Sequence, residues 1–192
     1  MIPLSILFED KISISMSKYA REDFLDPEVK HLAHSNKPLP IQHEQTTSAP
    51  SLIKMVLKVA DLNKRKVVLE IGTGSGWQTA IMSNMAKHVY TIEINKGIFD
   101  KATERFRRIG MKNITSKFGD GKKGWSQKAP FDVIIVSALV KNTAVIKPWM
   151  KQLKNNGILI VPMLRRGQGQ RLLAINRDGI RDLGGVKFVN LK

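Results

Sequence analysis

The sequence KVVLEIGTGSG, at residues 66–76, decides the fold of this chain. Its VVLEI part is an apolar run typical of a strand that is buried on both faces of a parallel sheet. Glycines follow at positions 72, 74 and 76, and the next segment, WQTAIMSNMA, is typical of a helix with an apolar inner side. Strand, glycine turn and helix form the arrangement in which a ligand approaches the backbone at the edge of an open α/β sheet.

The spacing of these glycines narrows the class of ligand. A dinucleotide fingerprint has its third glycine one position later, where this chain has Trp77. The acidic Glu70 precedes the glycines, and Glu93 ends the next predicted strand, HVYTIEI, about 20 residues downstream, where a carboxylate can bind both ribose hydroxyls. Glycines and two acids together resemble the nucleoside site of S-adenosylmethionine methyltransferases. The alternative interpretation of these residues is a tight strand-to-helix turn in another kind of α/β protein.

The composition limits the other classes of protein. A chain of 192 residues fits one α/β domain with a sizeable core. The absence of cysteine excludes disulfides and a thiolate nucleophile and fits a reducing compartment, so we expect a cytoplasmic protein. The four histidines show no metal-ligand spacing, and no apolar run approaches the ~18 residues of a membrane helix. We therefore predict neither a metal site nor a membrane span.

The formal net charge of +16 is the strongest signal of the composition. Such a charge can indicate a nucleic-acid partner, and it can equally raise the encounter rate with carboxylate substrates. The basic residues are spread along the chain, and their densest cluster is predicted to be a solvated helix face. That cluster is Arg105, Arg107 and Arg108.

The first residues fit poorly with the rest of the chain. Residues 1–15 contain an apolar segment, but they have neither a positive n-region nor a cleavage site for a signal peptide. We interpret them as an N-terminal extension that is disordered or not native, with Met16 as the true start. Residues 16–192 are then expected to form a single domain.

The remaining segments alternate between strand and helix patterns. Leu52, Met55, Val56 and Val59 predict one apolar helix face, and a second stripe of Phe99, Ala102, Phe106 and Ile109 ends at Gly110. A third helix is predicted at residues 143–153, and GIRDLGG at residues 179–185 is predicted as a turn. Further strands are predicted at residues 113–118, 131–136, 158–161, 171–176 and 186–191. This order predicts an α/β fold with a mainly parallel sheet, helices on both faces and antiparallel closing strands.

Almost all of the chain after Met16 resembles the protein-L-isoaspartate O-methyltransferase family. The most specific segments are QTTSAP at residues 45–50 and APFDVIIVSA at residues 129–138, whereas many methyltransferases share the glycine motif. The other segments are REDF at 21–24, PLPI at 38–41, GDG at 119–121, GILIVP at 157–162 and VKFVNL at 186–191.

The resemblance implies a Rossmann-like S-adenosylmethionine-dependent methyltransferase fold and a protein-repair activity. Such enzymes transfer a methyl group from S-adenosylmethionine to the free α-carboxylate of L-isoaspartyl residues in damaged proteins. The resulting ester closes to a succinimide, which reopens partly to normal aspartate. A carboxylate is already ionised near pH 7 and needs no strong base, so the chemistry depends on positioning and on the removal of water.

The resemblance also implies roles for single residues. Ser48 matches the family's active-site serine, whose hydroxyl orients the substrate carboxylate, although it could instead cap the following helix. Glu93 would hold the ribose, and Asp120 and Gly121 would meet the adenine amino edge, although Asp-Gly is also a turn signal. The other implied cofactor contacts are Gln45, Thr46, Thr47, Glu70, Gly72, Gly74, Gly76 and Gln170.

Two other functions compete with isoaspartyl repair. The family usually has glycines where Gln42 and Glu44 stand, which favours a non-catalytic S-adenosylmethionine-binding domain. The charge favours an RNA or DNA methyltransferase, but SALV at residues 137–140 lacks the acid or Asn followed by prolines that base methylation usually needs. We expect a monomer that acts on isoaspartyl proteins and peptides, without a nucleic-acid partner.

Overall fold

A computed structural model describes residues 4–191 and places a seven-stranded sheet at the centre of the protein. Strands β1 (Leu39–Ile41) and β2 (Gln45–Thr47) form a separate hairpin, and the strands of the sheet are β3 (Val67–Ile71), β4 (His88–Glu93), β5 (Ile114–Phe118), β6 (Phe131–Val136), β7 (Leu153–Arg165), β8 (Gly169–Asn176) and β9 (Gly179–Gly185). The order across the sheet is β5-β4-β3-β6-β7-β8-β9. Strands β3 to β7 pair in parallel, and β8 and β9 add antiparallel pairs at one edge. The predicted α/β class is confirmed.

Two hydrophobic clusters cover the two faces of this sheet. Successive residues of β3 alternate between them, since Val68 belongs to the first cluster and Leu69 to the second. Residues of four helices join the first cluster, and Trp149 of the fifth joins the second. These helices are α1 (Leu4–Lys18), α2 (Pro50–Ala60), α3 (Trp77–Met85), α4 (Lys96–Ile109) and α5 (Ile146–Met150). Both faces of the sheet are therefore buried, as the apolar run in β3 predicts.

In two helices, α2 and α4, the face that packs against the core differs from the predicted one. The buried face of α2 lies one position further along, at Ile53, Val56, Leu57 and Ala60. Eight of the eleven residues of this helix are apolar, so periodicity alone does not select between adjacent stripes. In α4 the buried residues are Ile98, Ala102 and Phe106, while Phe99 is half-buried and Ile109 is 38% exposed.

The last third of the chain contains the largest corrections. In place of the helix predicted at residues 143–153, the structure has a 3-10 turn followed by the short helix α5, and Leu153 is the first residue of β7. The predicted turn at residues 179–185 is strand β9, which pairs with β8, and the predicted strand at residues 186–191 is an irregular segment. That segment crosses to the loop after β6, where the backbone N–H of Leu139 donates to Val189 and that of Leu191 donates to Leu139.

The N-terminal helix α1 packs against α3. Ile12 is 1% exposed within the first cluster, and the Ser15 hydroxyl accepts a hydrogen bond of 2.9 Å from the Asn84 amide. Part of the predicted extension is thus built into the core, while Met16 as the natural start stays a prediction.

Among the helices of residues 4–191, none has the length and apolar character that a membrane crossing requires.

Candidate functional site

A cavity of about 360 Å³ opens at the carboxyl ends of β3 and β4. The strand order reverses at β3, because β4 lies on one side of it and β6 on the other. Open α/β sheets bind ligands at such a switch point, and the volume lies in the usual range for small-molecule sites. The walls are the glycine turn after β3, the segment around Ser48 and residues 187–191.

The three glycines of the turn have two different roles. Gly72 (φ +94°) and Gly74 (φ +55°) line the cavity, where positive φ and the missing side chain let a ligand approach the backbone. Gly76 (φ +86°) is outside the lining and is the N-cap of α3. A Cβ at Gly76 would lie 2.8 Å from the ring of Phe106. The packing of α3 against α4, rather than a ligand, therefore requires glycine at this position.

Glu93 is held at the tip of β4 by backbone donors. Glu93 is 6% exposed, and its carboxylate accepts hydrogen bonds of 3.0 Å from the backbone N–H groups of Gly74 and Asn95. It lines the cavity as the sequence predicts. The same carboxylate therefore orients the glycine turn and faces the ligand space.

Glu70 is fully buried at the end of β3, also on the cavity lining. Its carboxylate accepts from the hydroxyls of Thr79 and Thr91 and from the amide of Gln78, at 2.5, 2.8 and 3.0 Å. Burial raises the pKa of Glu70 to about 7 against the effect of these donors, and the negative charge of Glu93 adds to the rise. The carboxyl thus changes its charge near neutral pH.

The segment that carries Ser48 belongs to a small hairpin of β1 (Leu39–Ile41) and β2 (Gln45–Thr47). All four predicted residues from Gln45 to Ser48 line the cavity. The side chain of Ser48 does not cap α2, because the N-cap of that helix is Ala49. Instead the guanidinium of Arg21 donates to the backbone oxygen of Ser48 at 3.1 Å and lies over the Trp77 ring.

The turn of this hairpin forces two ordinary residues into a conformation that glycine prefers. Gln45 donates to the backbone oxygen of Gln42, and between them His43 and Glu44 have φ of +59° and +58°. The side chain of Glu44 is exposed and is not part of the cavity lining. Glu44 therefore leaves the mouth of the cavity open, but the turn is strained.

We expect Glu44→Gly to raise the free energy of unfolding by about 0.5–1 kcal/mol. The left-handed conformation costs a non-glycine residue ~1–2 kcal/mol, and the extra freedom of glycine in the unfolded chain offsets about half of the gain. Urea denaturation measures the change. Gln42→Gly is the matched control, since Gln42 is exposed but has no positive φ and should lose stability. If both substitutions changed the free energy of unfolding by the same amount, the backbone at Glu44 would not be strained.

Besides Gly76, two more of the predicted cofactor residues, Asp120 and Gln170, lie outside the cavity lining. The Asp120 carboxylate accepts from the backbone N–H of Lys122 at 2.8 Å, while its neighbour Gly121 does line the cavity. Gln170 supports the C-terminal wall, because its side-chain oxygen accepts from the N–H of Phe188 at 2.6 Å. Direct cofactor contact by Asp120 or Gln170 stays a prediction.

Sequence reasoning missed several residues of the site. Gln78 and Ser137 line the cavity and are hydrogen-bonded to each other at 3.2 Å. Arg105, predicted on a solvated face, is mostly buried and donates to the backbone oxygen of Ser75 and to Asp26. Ser137 lies in the quoted APFDVIIVSA segment and Gln78 in the quoted WQTAIMSNMA segment, but neither pattern assigns these two side chains a role. Within residues 4–191, no group of three or more His, Asp or Glu side chains could hold a metal ion.

Comparisons with known proteins agree with this arrangement. The family model for protein-L-isoaspartate(D-aspartate) O-methyltransferase (PCMT) matches residues 4–192. A protein-L-isoaspartate O-methyltransferase of Dictyoglomus turgidum is 38% identical over 185 residues, which are 95% of this chain and 83% of that protein. One of Pyrococcus abyssi is 41% identical over 180 residues, 91% of this chain and 82% of that protein.

Solved structures show the same fold. A protein-L-isoaspartate O-methyltransferase structure superposes with a TM-score of 0.85 at 27% identity, over 97% of this chain and 62% of that one. A Plasmodium falciparum structure named for the same activity, in complex with S-adenosyl-L-homocysteine, superposes with a TM-score of 0.81 at 22% identity. It covers 95% of this chain and 90% of that chain.

Proposed function

This chain belongs to the protein-L-isoaspartate O-methyltransferase family, and we propose that it repairs damaged proteins by methylating the α-carboxylate of L-isoaspartyl residues with S-adenosylmethionine. The observation that carries the proposal is a cavity lined by two chemically different sets of residues. The glycine turn and the acids of β3 and β4 are the set that we assign to the cofactor end, and the Ser48 segment and residues 187–191 are the set that we assign to the acceptor end.

The acidic end fits a nucleoside that carries positive charge. Gly72 and Gly74 would let the methionine part approach their backbone, and Glu93 would accept from the ribose hydroxyls. Glu70 adds a carboxyl that can become negative beside a cation. When bound, S-adenosylmethionine supplies an electrophilic methyl group on a sulfonium. Gln45, Thr46 and Thr47 would close this end from the hairpin side.

The other end fits the acceptor. The substrate carboxylate is the nucleophile, and because it is already ionised at neutral pH, no residue of the chain has to remove a proton. The Ser48 hydroxyl would donate to one carboxylate oxygen and turn the other toward the methyl group. Apolar side chains of Leu52, Phe188 and Leu191 line the same cavity and would exclude water.

An isoaspartyl peptide tests this function directly. We expect the protein to form a base-labile methyl ester on the peptide with radiolabelled S-adenosylmethionine, and none on the matched aspartyl peptide. Binding of S-adenosylhomocysteine without transfer would instead identify a non-catalytic cofactor-binding domain. Transfer to RNA or DNA but not to the peptide would identify a nucleic-acid methyltransferase.

We expect Ser48→Ala to lower kcat by about tenfold or more, because one oriented hydrogen bond to the reacting carboxylate contributes at least ~1.4 kcal/mol. The affinity for S-adenosylhomocysteine should stay nearly unchanged. Ser51→Ala is the matched control, since Ser51 is exposed in the first turn of α2 and does not line the cavity. Unchanged turnover of the Ser48 variant would refute its catalytic role.

We also propose that the protein works in the cytoplasm as a monomer and without a nucleic-acid partner. The absence of a nucleic-acid partner is supported by the basic residues, which are spread along the chain, and by the cavity lining, where Glu70 and Glu93 are acidic. The absence of cysteine supports the cytoplasm, a reducing compartment. Sedimentation measures the oligomeric state. Nucleic-acid binding with a steep salt dependence at physiological ionic strength would contradict the last part of this proposal.

A further inference from the structure

In the part of the chain that the structure describes, three charged side chains line the cavity, and their surroundings differ. Glu70 and Glu93 are buried, and both carboxylates are already held by donors of the protein. Lys187 is exposed and is the one cation of the lining among residues 4–191. Within residues 4–191 its ammonium group has no hydrogen bond or ion pair. The cavity thus offers one uncommitted charge, and it is positive.

The backbone on both sides of Lys187 is fixed by one residue. Gln170 accepts from the N–H of Val186 through its backbone oxygen, at 3.0 Å, and from the N–H of Phe188 through its side chain, at 2.6 Å. Three residues further along, the segment is held again where Leu191 donates to Leu139. Lys187 therefore projects from an anchored wall, although no strand or helix includes it.

A cation of the protein would favour an anionic acceptor in this cavity, in addition to the sulfonium of the bound cofactor. The charge of Glu93, and that of Glu70 when it is ionised, repels a substrate carboxylate, and apolar walls weaken the solvation of that carboxylate. The hydroxyl of Ser48 can donate a hydrogen bond but carries no charge. Among the described residues of the lining, Lys187 is the one whose side chain carries a positive charge that could pair with the acceptor carboxylate.

We propose that Lys187 is the substrate-binding cation of this enzyme and pairs with the α-carboxylate of the isoaspartyl residue. The inference rests on the proposed function and adds the charge recognition of its substrate. The carboxylate loses its negative charge as the new O–C bond forms, so the ion pair is stronger in the ground state than in the transition state. Lys187 therefore acts on KM rather than on kcat.

The test compares Lys187→Met with Lys64→Met in the isoaspartyl-peptide assay. Both variants lose one positive charge, but Lys64 is exposed just before β3, at the opposite end of that strand from the cavity. We expect Lys187→Met to raise the peptide KM by about fivefold to tenfold, with kcat unchanged or slightly higher. Lys64→Met should leave both constants unchanged.

Two further measurements separate binding from a structural role. Lys187→Arg should restore most of the lost affinity, because it restores the charge. Added salt should raise the KM of the wild-type protein more than that of Lys187→Met. Equal KM values for the wild type and Lys187→Met, or a fall in kcat alone, would overturn this inference and leave isoaspartyl transfer standing. A wild-type protein that transfers no methyl group would overturn the proposed function and this inference together.

Discussion

Gly76→Ala is expected to lower the free energy of unfolding by about 2–4 kcal/mol. The new Cβ would have to occupy left-handed backbone, which costs ~1–2 kcal/mol, and would lie 2.8 Å from the Phe106 ring, an overpacking that costs ~1–3 kcal/mol. Urea denaturation measures the loss. The folded fraction should still bind S-adenosylhomocysteine, because Gly76 is not part of the cavity lining.

Gly110→Ala isolates the backbone part of this effect. Gly110 is the C-cap of α4 with φ +73°, and a Cβ there would meet no atom within 4 Å. We expect it to cost about 1–2 kcal/mol. Combining Gly76→Ala with Phe106→Leu should cost less than the sum of the two single changes, since the smaller side chain makes room. Equal losses at Gly76 and Gly110, with strict additivity, would show that Phe106 imposes no constraint.

The second large effect concerns the stability of the protein as a function of pH. Burial raises the pKa of Glu70 from its ordinary value near 4.5 to about 7 in the folded protein. Between these two values the folded state binds the proton more tightly than the unfolded chain, so stability falls as pH rises and levels off above pH 7. The loss is on the order of 3 kcal/mol across this window.

Glu70→Gln removes this titration while it preserves the shape of the side chain. We expect the wild-type free energy of unfolding, relative to that of the variant, to decline steadily from about pH 4.5 to about pH 7. Denaturation of both proteins in a series of buffers gives the difference curve, in which the other titrating groups cancel. Parallel curves over the whole range would show that Glu70 keeps one protonation state.

The sequence predicted the structure best where the signals are local. The run at residues 67–71, the glycines after it and Gly110 all determine conformation within a few residues, and these elements were confirmed. The VKFVNL segment has the β-propensity of a strand, but it is held by Gln170 and Leu139, which are distant in sequence. Because no periodicity encodes such contacts, the wall that carries Lys187 was not predicted.

Glycine spacing likewise did not reveal what each glycine does. A positive φ is common to Gly72, Gly74 and Gly76, but only the first two line the cavity, and a Cβ at the third would clash with the Phe106 ring. The same ambiguity affects α2, whose adjacent apolar stripes differ only in what lies opposite them. In both cases the decisive information is the identity of a tertiary neighbour.

The hydrogen bonds of Glu93 have a consequence for the entry of the cofactor. A carboxylate has about four lone-pair positions, and the N–H groups of Gly74 and Asn95 occupy one on each oxygen. Two positions stay vacant for a vicinal diol, so ribose can dock without breaking either existing bond. In our proposal the glycine turn is thus preorganised, and docking requires no prior rearrangement of the loop.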